Sequence, residues 1–244
     1  MIFFRLIILF FILISPVKAN TIYNLIKIPN LEVYEINTEN KLKYFYATKQ
    51  FNLGVKKNIS CLSPDKEILD TKYKIVYKNL NRYSESFLKK INLKYIVLCN
   101  NLIISEINTA GIPNHIMKTL ILDIEFNEKF FERIIHHEVF HIINDSFAQL
   151  FEIEKWKKFN NKDFKYAECS TCNNKVNLST YENTNGFLTE YSKTIPSEDM
   201  AEVFSYLILN KEIINKKIKN DPILEKKILY IKEKLFKIDN TFKF

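Results

Sequence analysis

His137-Glu138-Val139-Phe140-His141 is the stretch of this sequence whose residue types and spacing can do chemistry. Histidines four apart stand one turn apart on one face of an α-helix, so both imidazoles can reach a single ion. The carboxylate of Glu138 lies beside that face, where it can take a proton from a metal-bound water. Only 4 histidines occur in 244 residues, and three of them, His136, His137 and His141, fall within this stretch or next to it. The bland alternative, a helix with chance histidines in solvent or core, suits so histidine-poor a chain badly.

The spacing has meaning only on a helix. Phe130, Phe131, Ile134, Ile135, Phe140, Ile142 and Ile143 recur as they would on a buried helix. Asn127 is a good N-cap, and Glu128 suits the positive end of the helix dipole. The helix is therefore expected over about 127–145.

A catalytic zinc needs three protein ligands and one open position for water. The longer pattern H-E-x-x-H-x-x-G-x-x-H would require glycine at 144 and histidine at 147. Asn144 and Phe147 stand there instead. His115 is the one other histidine and lies upstream on an expected strand. A carboxylate from a later helix remains, and Glu190, Glu198, Asp199 and Glu202 are the candidates. Glu202 stands out because it interrupts the apolar run Met200-Ala201-Glu202-Val203-Phe204, and a buried carboxylate needs a partner. Glu198, one turn earlier on the same face, is the leading substitute. Asp145, one turn after His141, is a candidate partner for a ligand histidine.

The elements that must hold this site can be read in order. Met1 to Ala19 has one early cation at Arg5, an apolar run from Leu6 to Ile14, and small or aliphatic residues at Val17 and Ala19. That is the pattern of a secretory signal peptide cleaved after Ala19, with an uncleaved anchor as the rival. Export implies a periplasmic or secreted protein with no stable membrane span after cleavage. The remainder, 20–244, suits one domain. It comprises an N-terminal α/β part at about 20–126, the motif helix, and a mainly helical part at about 146–244.

Alternating residues between Thr21 and Tyr46 predict short strands. Lys66 to Ile91 is helical in pattern, and Lys94 to Cys99 reads as an inner strand. Asn108 to Asn114, with Gly111 and Pro113, reads as a loop, and His115 to Ile124 as a strand. The polar segment Glu152 to Gly186 predicts a long irregular excursion. Ser197 is expected to cap the next helix, and a last amphipathic helix runs from about Asp221 to Phe236.

Cys61, Cys99, Cys169 and Cys172 are four, an even number that favours disulfides in an exported chain. Pairing Cys61 with Cys99 and Cys169 with Cys172 is simplest. The C-x-x-C spacing also admits a redox pair or half a zinc site. The net charge of +8 comes from dispersed lysines with no arginine–aromatic groove, which predicts no nucleic-acid partner. Nothing in the sequence sets an oligomeric state.

His137-Glu138-x-x-His141 followed by Glu198-Asp199-Met200-Ala201-Glu202-Val203-Phe204 resembles the HExxH zinc metallopeptidases, or zincins. The similarity is to the catalytic domains of anthrax lethal factor and the Pro-Pro endopeptidases. The run Gly186-Phe187 through Tyr191, Thr194, Pro196 and Glu198-Asp199 is similar to bacterial zinc-binding metallopeptidases, as is Trp156 to Phe164. The resemblance covers about 127–209. It implies an α+β fold with a small mixed sheet packed on the motif helix. It implies one catalytic Zn2+ on His137, His141 and Glu202, with Glu138 as general base. It further implies a tyrosine seven residues before the glutamate ligand. Counted from Glu202 that position is Ile195, and Tyr191 is the tyrosine available to stabilise an oxyanion. An edge strand above the motif helix is also implied, with His115 to Ile124 as its candidate by position; the equal alternative is that this is an ordinary paired strand. The expected activity is that of an exported peptidase acting on peptides or proteins, an endopeptidase by this resemblance. The alternatives are a non-catalytic zinc-containing binding module and a zinc amidase acting on cell-wall peptides.

Overall fold

A computed structural model describes residues 28–172 and 177–244. The leader pattern at 1–19 lies outside the described residues. Eight strands form one mixed sheet: β1 (Leu31–Glu35), β2 (Lys43–Ala47), β3 (Phe51–Leu53), β4 (Ile59–Leu62), β5 (Tyr95–Ile104), β6 (Ile107–Asn108), β7 (Gly111–Asn114) and β8 (Thr119–Asp123). The helices are α1 (Lys66–Leu80), α2 (Glu85–Lys90), α3 (Phe131–Ser146), α4 (Ile153–Lys157), α5 (Pro196–Leu209), α6 (Lys211–Lys217) and α7 (Pro222–Ile238).

The long strand β5 is the spine. Its first half pairs in parallel with β2 on one side and β8 on the other, and its second half pairs antiparallel with β4 and β6. Successive side chains of a strand point to opposite faces. Ile96 and Leu98 of β5 accordingly enter the main core with Leu120 and Leu122 of β8, under α1, α3 and α5. Tyr95, Val97 and Cys99 enter a smaller core on the other face with Phe45, Phe51 and Cys61. The fold is α+β, with a helical C-terminal half, as expected.

Two elements differ from the sequence reading. The segment read as a loop holds β6 and β7, and among the described residues β7 pairs only with β8, antiparallel. Strand β8 is paired on both sides, so the edge strand is Gly111–Asn114 and not His115 to Ile124. Gly111 and Pro113 read as loop residues in sequence, yet an edge strand tolerates both. Asp123 N–H donates to Ala110 C=O (2.9 Å), and antiparallel groups alternate in direction, so the nitrogen of Pro113 faces away from β8 and no ladder bond is lost. At the start of α5, Ile195 and not Ser197 is the N-cap, because Pro196 occupies the first turn, where its fixed φ and missing N–H are tolerated.

The cysteines pair in the simplest way, Cys61 with Cys99 across β4 and β5, and Cys169 with Cys172 within the excursion. A buried ion pair ties the C-terminal half together. Lys227 of α7 donates to Asp199 Oδ2 (2.7 Å) and to the carbonyl of Gly186 (2.7 Å). The same Asp199 oxygen accepts from Trp156 Nε1 (2.8 Å) and the Tyr166 hydroxyl (2.6 Å). One turn of α5 is thereby fixed to α4, α7 and the excursion. Lys227→Met leaves a buried carboxylate without its cation, which costs roughly 3–5 kcal/mol. Thermal unfolding should show a fall of about 10 °C, and adding Asp199→Asn should return much of it. An unchanged melting temperature in Lys227→Met would contradict this account.

Candidate metal centre

The motif segment is helical from Phe131 to Ser146, and Asn127 caps the single 3₁₀ turn before it by accepting from Phe130 N–H (3.3 Å). His136, His137 and Glu138 are all buried. His136 faces away from its two neighbours: its Nδ1 meets the Tyr83 hydroxyl at 2.6 Å and its Nε2 meets Asn79 Oδ1 at 3.0 Å. Burial pushes its pKa down to about 3, so it is a neutral core residue that ties α3 to α1.

On the opposite side α3 packs against α5, and three donor atoms converge there. His137 Nε2 lies 2.8 Å from Glu198 Oε2, His141 Nε2 lies 3.1 Å from the same oxygen, and the two Nε2 atoms are 3.1 Å apart. Tetrahedral zinc with bonds of about 2.0–2.1 Å sets its ligand atoms about 3.3 Å apart. The triangle is within a few tenths of an ångström of that, and its two imidazoles and one carboxylate are a donor set suited to zinc.

Glu202, expected as the third ligand, stands one turn further along α5. Its Oε1 lies 3.0 Å from His137 Nδ1, its Oε2 accepts from Thr189 Oγ1 (2.9 Å), and Arg133 Nη2 is 3.9 Å away. Glu202 therefore takes the outer nitrogen of His137, which directs the Nε2 lone pair to the centre. Glu202 is buried as expected, with His137, Thr189 and Arg133 as its neighbours, while the two histidine Nε2 atoms converge on Glu198. Asp145 is exposed and lies 3.9 Å from His115 Nδ1. Glu190 pairs with Lys193, and Asp199 with Lys227.

The electrostatics of the cluster are strongly coupled. Burial alone would depress the His137 imidazolium, but Glu198 and Glu202 outweigh it and hold its pKa up at about 10, so a cation binding at Nε2 would displace a proton there. Burial works against the Glu198 carboxylate, yet the two histidines keep it well below the usual range. Glu138 is pushed up by burial, with His141 and His137 acting in the opposite sense. Tyr191 lies on a single 3₁₀ turn, its ring 5.8 Å from that of His137. Burial raises its phenol, and the facing Glu198 and Glu138 carboxylates raise it further, so it stays a hydrogen-bond donor.

Residues 66–237 match the model of a family described as "Putative zinc-binding metallo-peptidase". The match spans well over half of the sequence. The chain belongs to this family of zinc-binding metallopeptidases. The chain also has the fold of a solved structure from Bacteroides caccae, described as a putative zinc-binding metallo-peptidase. The TM-score is 0.54 at 17% identity, over 91% of this chain and 87% of that one. No relative is found among curated proteins.

The convergence on Glu198 also bears on the tyrosine spacing. Seven residues before Glu198 is Tyr191, the spacing implied by the lethal factor resemblance. That count, made forward from Tyr191, is the sequence signal for Glu198. Sequence reasoning missed the part that Arg133 and Thr189 play at the site. Both reach the site only through Glu202, and nothing in their local pattern announces it.

Proposed function

We propose that the chain is an exported zinc-dependent endopeptidase. The convergence within 3.1 Å of His137 Nε2 and His141 Nε2, from the helix that also carries Glu138, with Glu198 Oε2 of α5 is the observation that supports this most. Bound there, zinc would polarise the scissile carbonyl and lower the pKa of a water to about 7.

The protein's own groups do the rest. Glu138 accepts the proton of the attacking water and passes it to the leaving amine. Tyr191 hydrogen-bonds the oxygen on which negative charge develops. Glu202 holds His137 in the tautomer whose Nε2 is free to bind. The edge strand β7 aligns an extended peptide: Gly111 offers an outward N–H and a C=O that also accepts from Thr109 Oγ1 (3.2 Å), and Pro113 an outward C=O alone. The ladder is short, and its Gly111 end lies beside Glu138. Internal peptide bonds fit such an open edge, which favours endopeptidase action. Export is supported by the leader pattern and by the two disulfides. Among the described residues no helix is long and apolar enough to cross a membrane.

The purified mature protein should carry about one zinc and cleave a mixed peptide library. Chelation should stop cleavage and added zinc restore it. Release of peptide from purified peptidoglycan with no cleavage of the library would turn the reading to the amidase. Zinc content without any hydrolysis would turn it to the binding module.

A further inference from the structure

The backbone of β7 lies directly on Glu138. A methyl group in place of the hydrogen on Gly111 would stand 2.7 Å from Glu138 Cγ, 2.8 Å from Cδ and 3.1 Å from Oε2. Carbon atoms in contact settle at about 3.5–4.0 Å. Alanine therefore fits at 111 only if the Glu138 side chain moves.

The backbone itself does not ask for glycine at this position. Gly54 and Gly186 adopt positive φ values of 78° and 87°, a region that disfavours other residues, but Gly111 does not. It sits in an ordinary strand register opposite Leu122, which any residue can adopt. What glycine supplies here is space, and the group that fills it is the carboxylate arm of Glu138. Glu138 is buried, so its arm has no open solvent to swing into.

We propose that Gly111 is a positioning residue for Glu138: its bare Cα is the wall that sets where the carboxylate stands relative to His137, His141 and Glu198. The inference rests on Glu138 being the proton acceptor of the proposed peptidase. It adds that one atom's worth of side chain on the edge strand dislodges that acceptor without touching a metal ligand.

The test is Gly111→Ala in the full mature protein, read in two independent ways. Zinc content should match wild type, KM should change little, and kcat should fall by about 10–100-fold, as for a reacting group misplaced by about 1 Å. The second reading needs no activity. Melting temperatures are compared for wild type, Gly111→Ala, Glu138→Ala and the double variant. Gly111→Ala should lower the melting temperature by roughly 3–10 °C in wild type. It should lower it far less once Glu138 is trimmed to alanine, because the clash is gone. Equal losses in both backgrounds, or none in either, would overturn the proposal, as would an unchanged kcat in an active enzyme. If wild type cleaves nothing, the peptidase reading fails, while the melting cycle still decides whether Gly111 sets the carboxylate.

Discussion

Glu138→Gln should leave zinc content and folding nearly intact and lower peptide cleavage by about 10²–10⁴-fold. The substitution keeps the size and shape of the side chain, which matters in a site this tight. Glu138 is buried, and its side chain lies close against the backbone of β7 at Gly111. A smaller replacement would open a cavity and confuse the reading. The amide cannot accept a proton at neutral pH, so the proton-transfer role is removed by itself. Burial raises the pKa of Glu138, which brings its basicity nearer to that needed for proton transfer at neutral pH. The measurement is kcat against the peptide library alongside metal analysis and thermal unfolding. Cleavage at the wild-type rate would end the general-base assignment. Loss of zinc together with activity would place Glu138 among the ligands instead.

The motif helix was legible in the sequence because its signal is local. The spacing of His137 and His141, the apolar period around them and the Asn127 cap all lie within one helix and the turn that precedes it. The third ligand is not local in that sense. Glu198 and Glu202 lie one turn apart on the same face of α5, and both are buried. Which of them meets the histidines depends on how far α5 slides along α3, and packing over the whole core sets that offset. Interruption of an apolar run finds burial, and burial does not separate an ion from Arg133 and Thr189 as partners. The edge strand was hidden for a related reason. Gly111 and Pro113 carry loop signals, but each is tolerated in β7 because of where the neighbouring chain lies: one side has Glu138, the other has nothing to pair with a proline nitrogen. The alternation and short apolar runs that marked β5 and β8 depended on no such neighbour, and those strands were read correctly in place if not in extent.

Glu198→Gln should abolish stable zinc binding and activity together, whereas Glu202→Gln should weaken zinc by about 10–100-fold and leave part of the activity. The two substitutions are chemically identical and one helical turn apart, so their difference isolates position. Glu198 Oε2 is shared by both histidine Nε2 atoms at 2.8 Å and 3.1 Å, and its charge offsets that of a divalent ion. An amide in its place supplies a neutral donor, and the remaining two imidazoles do not hold zinc tightly alone. Glu202 acts one atom further out, through His137 Nδ1. A glutamine there can still accept from that nitrogen, but without the charge that strengthens the ligand and answers Arg133. Chelator competition gives the zinc affinity of each variant. Unfolding with and without zinc checks it, because tighter binding to the folded state stabilises more. The metal-dependent rise in melting temperature should vanish in Glu198→Gln and shrink in Glu202→Gln. Zinc lost in Glu202→Gln and kept in Glu198→Gln would make Glu202 the ligand, and Tyr191 would no longer stand at the spacing that links it to the site.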